Sequence, residues 1–462
     1  MQPLAGLSSV VVGGGFGGLS AAAYLADRGA DVTLLERNDQ LGGRAATLER
    51  DGFAFDMGPS WYLMPDVFER FFGHFDRRPG EYYSLDHLDP HYRVFWKDGD
   101  RADVTGDREQ VHEVYEDRQR FRDYVSLDVL RSARGLSLLG TMDDHVAGYF
   151  DHPKLRQIMQ YSLVFLGGAP YNTPALYNLM SHVDFNLGVY YPTGGMSGVA
   201  DRVADLAREL GVRTVTGTPV EHIDPYARGH VVRTPDRDYR ADVVVSDADY
   251  AHTELDLLDP EYRQYGRDYW ESRTYAPSAF LLYLGVEGDV DPLAHHSLVL
   301  PTDWDGHFEQ IFEAPAWPDD PAYYVCAASQ TDDSVAPEGH SNLFVLVPIA
   351  PGLDDGPAVR ERYTEQVLAD LAANACVDVR DRIVTSETFS VSEFADRYNS
   401  YRGTALGLAH TLRQTAPLRP PHRSTELRGL YYTGANTTPG IGVPMCLISG
   451  ELTADYVEED FA

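Results

Sequence analysis

The stretch VVVGGGFGGLSAAAYLADRGADVTLLE, residues 10–36, joins two apolar runs through a cluster of glycines and an alanine-rich segment. The first run ends at Val12 and is typical of a strand buried in a parallel sheet. The alanine-rich segment predicts a helix from Gly17 to Arg28, which Gly29 would end. The second run, residues 31–36, predicts another strand, so the stretch indicates a strand–helix–strand unit.

Three glycines in the first turn have the G-x-G-x-x-G spacing of a dinucleotide site. Gly13 permits the tight turn, Gly15 leaves room for a diphosphate to approach the backbone, and Gly18 lets the helix pack closely on the strand. The start of the helix would offer free N–H groups to the phosphates. Glu36 closes the second strand, where a carboxylate can accept hydrogen bonds from a ribose and disfavours a 2′-phosphate.

A second glycine pair, Gly42-Gly43 followed by Arg44, indicates which dinucleotide the site binds. A nicotinamide enzyme needs no such continuation, whereas the longer FAD must be followed from its diphosphate towards its ring. The segment resembles flavoproteins that carry an extended glycine-doublet motif, among them amine oxidases, protoporphyrinogen oxidases and carotenoid desaturases. The resemblance implies FAD as the cofactor and places Arg44 on the diphosphate side. It also implies three residues that line the flavin: Gly58, Pro59 and Ser60.

The rest of the chain predicts a second domain inserted into the first. The run RADVVVSDAD, residues 240–249, predicts a further buried strand of the first domain, whereas AFLLYLGV, YYVCAAS and NLFVLVPIA predict a mostly antiparallel sheet elsewhere. We therefore expect an α/β fold, with a Rossmann-like FAD-binding domain of the glycine-doublet type and an inserted α+β substrate domain. The expected FAD-binding domain covers 1–90, 190–260 and 395–462, and the substrate-binding domain covers 91–189 and 261–394.

The stretch GLYYTGANTTPGIGVPMCLISGELTADYV, residues 429–457, predicts a strand, a turn dense in glycine, threonine and proline, and a helix. The start of this helix would again offer backbone donors, here near the flavin ring.

Three blocks give the whole chain a more specific resemblance: residues 165–196, residues 398–420 and residues 437–451. Over nearly its full length the chain resembles the carotenoid (phytoene) desaturases, also called phytoene dehydrogenases. The resemblance implies an FAD-dependent oxidoreductase that introduces C=C bonds into an apolar polyene, with an electron acceptor that the sequence does not identify. Asn436 departs from relatives that often carry Glu or Gly, which argues against a specific role for its side chain. The predicted cofactor-binding residues are Gly13, Gly15, Phe16, Gly17, Gly18, Glu36, Arg37, Gly43, Arg44, Gly58, Pro59, Ser60, Val220, Gly434, Asn436, Gly442 and Val443.

No catalytic base is evident, and the candidates within these blocks are Arg402, Tyr401, Asp184 and His182. Three other functions remain open. The chain could act later in the pathway, as a carotenoid 3,4-desaturase or isomerase. It could be an FAD amine oxidase, against which the closing block argues, or a non-catalytic flavin- or carotenoid-binding protein.

The composition is strongly acidic, with 71 acidic against 38 basic residues and a net charge of -33. The acids are spread along the chain, as in proteins of salt-loving archaea, and this charge excludes nucleic acid as an expected partner. The chain has three cysteines, which are far apart and lack the spacing of metal ligands. We therefore expect each cysteine to be a small buried hydrophobic residue, and we expect no metal site.

An apolar polyene must be drawn from a bilayer, so we expect peripheral contact with a membrane surface. Residues 125–140, which include LSLLG, are the candidate segment. The first nine residues lack the basic start of a secretory leader. We therefore expect a protein of a high-salt cytoplasm, associated with the inner face of the membrane.

Overall fold

The structure is a computed structural model that describes residues 2–106 and 140–462. Its strands are β1 (Ser8–Val12), β2 (Asp31–Leu35), β3 (Thr47–Arg50), β4 (Phe53–Asp56), β5 (Leu85–His87), β6 (Tyr92–Trp96), β7 (Arg101–Val104), β8 (Tyr190–Pro192), β9 (Arg213–Val215), β10 (His222–Tyr226), β11 (Gly229–Arg233), β12 (Asp238–Ala241), β13 (Val243–Ser246), β14 (Ser278–Glu287), β15 (His296–Leu300), β16 (Tyr323–Cys326), β17 (His340–Ile349), β18 (Ile383–Phe389) and β19 (Leu430–Tyr432). Its helices are α1 (Phe16–Asp27), α2 (Pro65–His74), α3 (Met142–Ala147), α4 (Pro153–Gln160), α5 (Leu163–Leu166), α6 (Leu179–His182), α7 (Gly195–Glu209), α8 (Tyr250–His252), α9 (Arg267–Glu271), α10 (Trp304–Phe312), α11 (Pro357–Asn374), α12 (Val391–Tyr398) and α13 (Val443–Phe461).

A parallel sheet with the strand order β19-β13-β1-β2-β9 forms the first layer. Val10 pairs with Thr33 on one side and with Val244 on the other, and Val244 pairs in turn with Leu430. The valine-rich strands β1 and β13 lie in the middle and are almost fully buried, as expected for strands covered on both faces. Strands from distant parts of the chain therefore meet in one sheet.

Helices α1 and α13, from opposite ends of the chain, pack against each other on this sheet. The Ser20 hydroxyl of α1 donates to the Leu447 carbonyl of α13 at 2.7 Å. A Cβ atom at Gly450 would lie 2.5 Å from the Ser20 Cβ, so the close approach requires glycine. The helix predicted at 17–28 is confirmed as α1, with each end within one residue.

A mixed sheet with the order β18-β14-β17-β16-β15-β6-β7 forms the second layer. Strands β14 and β17 pair antiparallel along ten residues each, and only the β15–β6 pair within this sheet is parallel. One face packs on α11 through Tyr363, Val367 and Leu371. The opposite face carries aromatic residues of β6 and packs against those of β4, and Tyr324 of β16 bonds from this face to Ser60. The predicted, mostly antiparallel sheet is therefore confirmed.

The predicted α/β fold with a parallel sheet is confirmed, and the exact domain boundaries stay a prediction. Charged and apolar residues alternate at helical spacing in residues 108–125, which predicts an amphipathic helix. This segment and the membrane segment at 125–140 lie outside the described residues, except for Gly140. Within 2–106 and 140–462, no helix combines the length and the apolar character that a membrane span requires. The expectation of three buried cysteines is wrong for Cys376, which is exposed at the end of α11.

Candidate functional site

The first glycine cluster forms a tight loop at the carboxyl end of β1. Gly13 has a φ of 102°, a left-handed conformation that favours glycine, and its amide donates to the Leu35 carbonyl at 2.8 Å. A Cβ at Gly18 would lie 2.1 Å from the Gly13 carbonyl oxygen. The loop and the start of α1 can therefore approach each other only with glycine at both positions.

The glycine doublet packs directly on this loop. The Gly42 amide donates to the Gly14 carbonyl at 2.8 Å, and a Cβ at Gly43 would lie 3.3 Å from the Gly15 Cα. Gly58 also lies beside the doublet segment, since a Cβ at this position would lie 2.7 Å from the Arg44 carbonyl oxygen. The structure thus brings the two predicted glycine motifs together with the segment predicted to lead towards the flavin.

Glu36 is 5% exposed and stands beside the loop. One carboxylate oxygen accepts the Gly14 amide at 2.8 Å, and the other accepts the Asn38 amide at 2.8 Å. The Thr218 amide donates to the Glu36 carbonyl, which brings the segment before Val220 to this end of the crevice. Glu36 therefore fixes the loop in addition to its predicted contact with a ribose, which stays a prediction.

The carboxyl-terminal turn meets the amino-terminal loop at the same point. A Cβ at Gly17 would lie 2.8 Å from the Gly434 Cα, and the Gly434 amide donates to Ser449 Oγ at 2.8 Å. Gly442 precedes α13 with a φ of 122°. The first amides of α13 have no partner within the helix. The glycine turns of both chain ends therefore meet at one place, and the contact of their free amides with a cofactor stays a prediction.

Arg44 is the cation of the crevice that best fits a diphosphate. It donates to Ser400 Oγ at 2.7 Å, and its Nε is buried without a hydrogen-bond partner. An unpartnered guanidinium N–H carries a desolvation cost that an anionic ligand would offset. Arg37, in contrast, is exposed and donates to Asn399, so its predicted cofactor contact stays a prediction. Together with the glycine cradle, Arg44 makes the crevice compatible with FAD.

Asp247, just after β13, was missed by the sequence reasoning. A Cβ at Gly15 would lie 2.6 Å from one of its carboxylate oxygens, and a Cβ at Gly17 would lie 2.5 Å from the other. Burial raises the pKa of Asp247 to about 7, the charge of Glu36 adds to the rise, and the nearby amides of Gly18 and Gly15 oppose it. Asp247 directly follows a buried strand that lies parallel to β1, and this position could have identified it from the sequence.

Asn436 has a defined structural role, which corrects the expectation drawn from its variation among relatives. Its side-chain oxygen accepts the Leu408 amide at 3.0 Å, and its side-chain nitrogen donates to Asp249 at 3.4 Å. The side chain therefore joins the carboxyl-terminal turn to the block around residue 408. Its predicted contact with the cofactor stays a prediction.

The candidate acid–base residues occupy different environments. Asp184 is 4% exposed and accepts hydrogen bonds from the hydroxyls of Tyr92 at 2.9 Å and Tyr161 at 3.3 Å. Burial raises the pKa of Asp184 to about 7, and its second oxygen is unpartnered. Arg402 is exposed, lies over the rings of Tyr275 and Tyr401, and has a φ of 57°. The side chain of His182 lies outside the described part of the chain. Asp184 is thus the candidate whose surroundings suit proton transfer.

A buried hydrogen-bonded chain connects the predicted flavin-lining segment to the second sheet. Ser60 Oγ lies 2.7 Å from the Tyr324 hydroxyl, which lies 2.7 Å from His296 Nδ1. Burial lowers the pKa of His296 well below its usual value, so the ring is neutral. Trp61 stacks on His296 with centroids 4.6 Å apart and also contacts the ring of Tyr92. Asp184 is therefore linked to this chain through Tyr92, whose ring contacts Trp61 and whose hydroxyl donates to Asp184.

Comparisons with known proteins identify the family of the chain. The sequence matches the profile of the family described as flavin containing amine oxidoreductase over residues 16–458. It is 61% identical over 495 residues to a carotenoid 3,4-desaturase of Haloarcula japonica, covering 100% of each chain. It is 35% identical to a zeta-carotene-forming phytoene desaturase of Myxococcus xanthus, covering 96% of this chain and 93% of that protein. An oxidoreductase from Methanosarcina mazei shares the fold, with a TM-score of 0.67, 16% identity, and coverage of 97% of this chain and 100% of that one.

Proposed function

Because the chain belongs to the flavin-containing amine oxidoreductase family, in its carotenoid desaturase branch, we propose that it is an FAD-dependent carotenoid 3,4-desaturase. One observation carries the proposal: the identity to a carotenoid 3,4-desaturase is 61% over the whole of both chains. The identity to the phytoene desaturase of Myxococcus xanthus is 35%. The later step of the pathway is therefore favoured over the desaturation of phytoene.

The crevice supplies the cofactor's surroundings through the backbone. The free amides at the start of α1 and the Arg44 guanidinium would hold the diphosphate. The turn at 434–443 and the start of α13 would face the ring, where helix-end dipoles favour negative charge. FAD, when bound, accepts the hydride equivalent that the polyene gives up. The aromatic residues of the second sheet exclude water from the adjoining space.

We assign Asp184 as the group that accepts the proton released by the substrate. Loss of two hydrogens from a C–C single bond releases a proton together with the hydride equivalent. Asp184 has an unpartnered oxygen and is oriented by two tyrosine hydroxyls. Since its pKa is raised to about 7, it can be ionised at neutral pH and still bind a proton readily.

An exposed apolar patch supports contact with a membrane. Four exposed residues lie on two neighbouring segments: Tyr171, Leu179, Leu412 and Leu418. The two segments are joined because the Tyr177 hydroxyl bonds to His410 and Thr415. His410 also accepts the Ile441 amide at 3.2 Å, so the patch adjoins the turn assigned to the flavin ring. An apolar substrate could pass from a bilayer to the crevice on this side.

Product analysis tests the reaction. The holoprotein is incubated in concentrated salt with liposomes that contain either phytoene or a carotenoid saturated at the 3,4 bond, and the pigments are identified by chromatography and mass. We expect conversion of the second substrate, with loss of two mass units per bond formed. Conversion of phytoene alone would contradict the 3,4 assignment.

Flotation with liposomes tests the patch. Leu412→Glu combined with Leu418→Glu should abolish flotation and leave the flavin content unchanged. Val384→Glu, on an exposed residue of β18, is the matched control and should float like the wild type. Unchanged flotation of the double variant would contradict the proposed membrane contact.

Since the net charge is -33, we also place the enzyme in a high-salt cytoplasm at the inner face of the membrane.

A further inference from the structure

The diphosphate cradle contains a carboxylate of the protein itself. The side chain of Asp247 lies where side chains at Gly15, Gly17 and Gly434 would otherwise extend. A Cβ at Gly18 would lie 3.2 Å from the same carboxylate. The glycines of both chain ends thus surround Asp247, which is partly exposed. A group with this charge and position directly faces the place where a diphosphate would bind.

The charges around Asp247 do not neutralise it. Glu36 at the end of β2 and Asp249 on the same segment are acidic, and Arg44 is the cation that acts on Asp247. Arg44, however, donates to Ser400, and no salt bridge to Asp247 occurs among residues 2–106 and 140–462. Cys446 of α13 also faces it, but burial raises the pKa of this thiol to about 12, so it stays neutral. The amides of Gly18 and Gly15 and the charge of Arg44 stabilise ionised Asp247 only in part, since its pKa stays raised to about 7.

A bound diphosphate adds two further negative charges to the same cradle. Like charges a few ångströms apart in a partly desolvated site favour protonation of the group that can take up a proton. Burial already raises the pKa of Asp247 to about 7, and the diphosphate would raise it further. By linkage, a group with a higher pKa in the bound state takes up a proton on binding, and the ligand binds more weakly as pH rises.

We propose that Asp247 is a further residue of the cofactor site, and that FAD binds to the form of the protein in which this carboxyl group is protonated. In that form the carboxyl group can donate a hydrogen bond to a phosphate oxygen instead of repelling it. FAD affinity then depends on pH through one proton. This inference concerns the binding of FAD and is independent of which carotenoid is the substrate.

Titration of the apoprotein with FAD tests the inference. The flavin is removed from the full chain, and the Kd is measured by flavin fluorescence from about pH 6 to about pH 9 at constant high salt. The Kd of the wild type should rise by up to about tenfold per pH unit above about pH 7. Asp247→Asn, which cannot ionise, should show a nearly constant Kd and bind FAD at least tenfold more tightly than the wild type at about pH 9.

A matched control lies at the other end of the same strand. Asp242 accepts hydrogen bonds from the Ser8 amide at 2.9 Å and the Ser8 hydroxyl at 2.7 Å, away from the cradle. Asp242→Asn should retain the pH dependence of the wild type. If Asp247→Asn retains it too, or if the wild-type Kd is constant over this range, the inference is overturned.

Calorimetry on the unaltered protein gives a second test that no folding defect can obscure. The heat of FAD binding is measured at about pH 8 in buffers with different ionisation enthalpies, which reports the protons taken up. ADP-ribose, which carries the diphosphate without the flavin ring, is titrated in parallel. We expect uptake of nearly one proton for both ligands. Absence of proton uptake for both would refute the role of Asp247, and uptake for FAD alone would assign the proton to the ring end.

Discussion

The two ends of the proposed active site are built differently. The diphosphate end is mostly main chain, to which Arg44 and Asp247 add side chains, and the missing Cβ atoms of its glycines allow three segments to meet. The polyene end consists of buried side chains, in which Asp184, Tyr324 and His296 are connected through tyrosine hydroxyls and the Trp61 ring. The first construction binds a common cofactor through general backbone chemistry. We therefore expect the substrate specificity of the enzyme to depend on the second.

The largest effect is expected at the diphosphate end. Gly15→Val should yield protein without detectable bound flavin, because its Cβ would lie 2.6 Å from the Asp247 carboxylate and its branches would extend into the cradle. Overpacking of this kind destabilises the folded protein by about 1–3 kcal/mol. The added side chain also occupies volume that the ligand needs. Flavin absorbance per protein measures the result. Gly266→Val, at a glycine with open space around its Cβ position, should retain flavin, and normal flavin in the Gly15 variant would contradict the cradle.

A large effect on turnover without loss of flavin is expected at the polyene end. Asp184→Asn should lower turnover by about a hundredfold or more, since general base catalysis contributes that much. The base must be ionised, so wild-type turnover should fall as pH drops below about 7, the pKa of Asp184. The variant should lack this limb of the pH profile. Retention of the wild-type profile would exclude Asp184 as the proton acceptor.

A smaller effect on affinity is expected from the cation of the cradle. Arg44→Gln should raise the Kd of FAD by about ten- to a hundredfold, because one charge-assisted hydrogen bond contributes about 1.5–3 kcal/mol. Arg50→Gln, at an exposed arginine that pairs with Glu387, is the control and should leave the Kd unchanged. Equal Kd values for the Arg44 variant and the wild type would remove Arg44 from the diphosphate site.

The smallest effect is expected on the stability of the fold, with no change in the binding of FAD. Tyr324→Phe removes the hydroxyl between Ser60 and His296 and should lower the free energy of unfolding by about 1–2 kcal/mol, with FAD affinity unchanged. Thermal unfolding of the holoprotein measures this change. Tyr226→Phe, at an exposed tyrosine, should have no effect. Equal stability of the Tyr324 variant would show that the buried chain does not contribute to the fold.

The contrast between the two ends also explains what the sequence could predict. The spacing of Gly13, Gly15 and Gly18 encodes a local backbone geometry, so the fold class, the FAD cofactor and the family were predictable, and the comparisons confirm them. The individual residues of the diphosphate end stay predictions, although the structure brings their segments together. Asp247 follows β13 and His296 begins β15, and their contacts with Gly15 and Trp61 involve residues more than fifty positions away in the chain. Spacing rules carry no information about such distant contacts.

The most direct test of the account is an anaerobic reduction of the holoprotein at high salt by a carotenoid saturated at the 3,4 bond. We predict bleaching of the flavin absorbance with one product molecule, lighter by two hydrogens, for each flavin reduced. Bleaching by a polyamine, together with unchanged flavin in the presence of carotenoids, would contradict it.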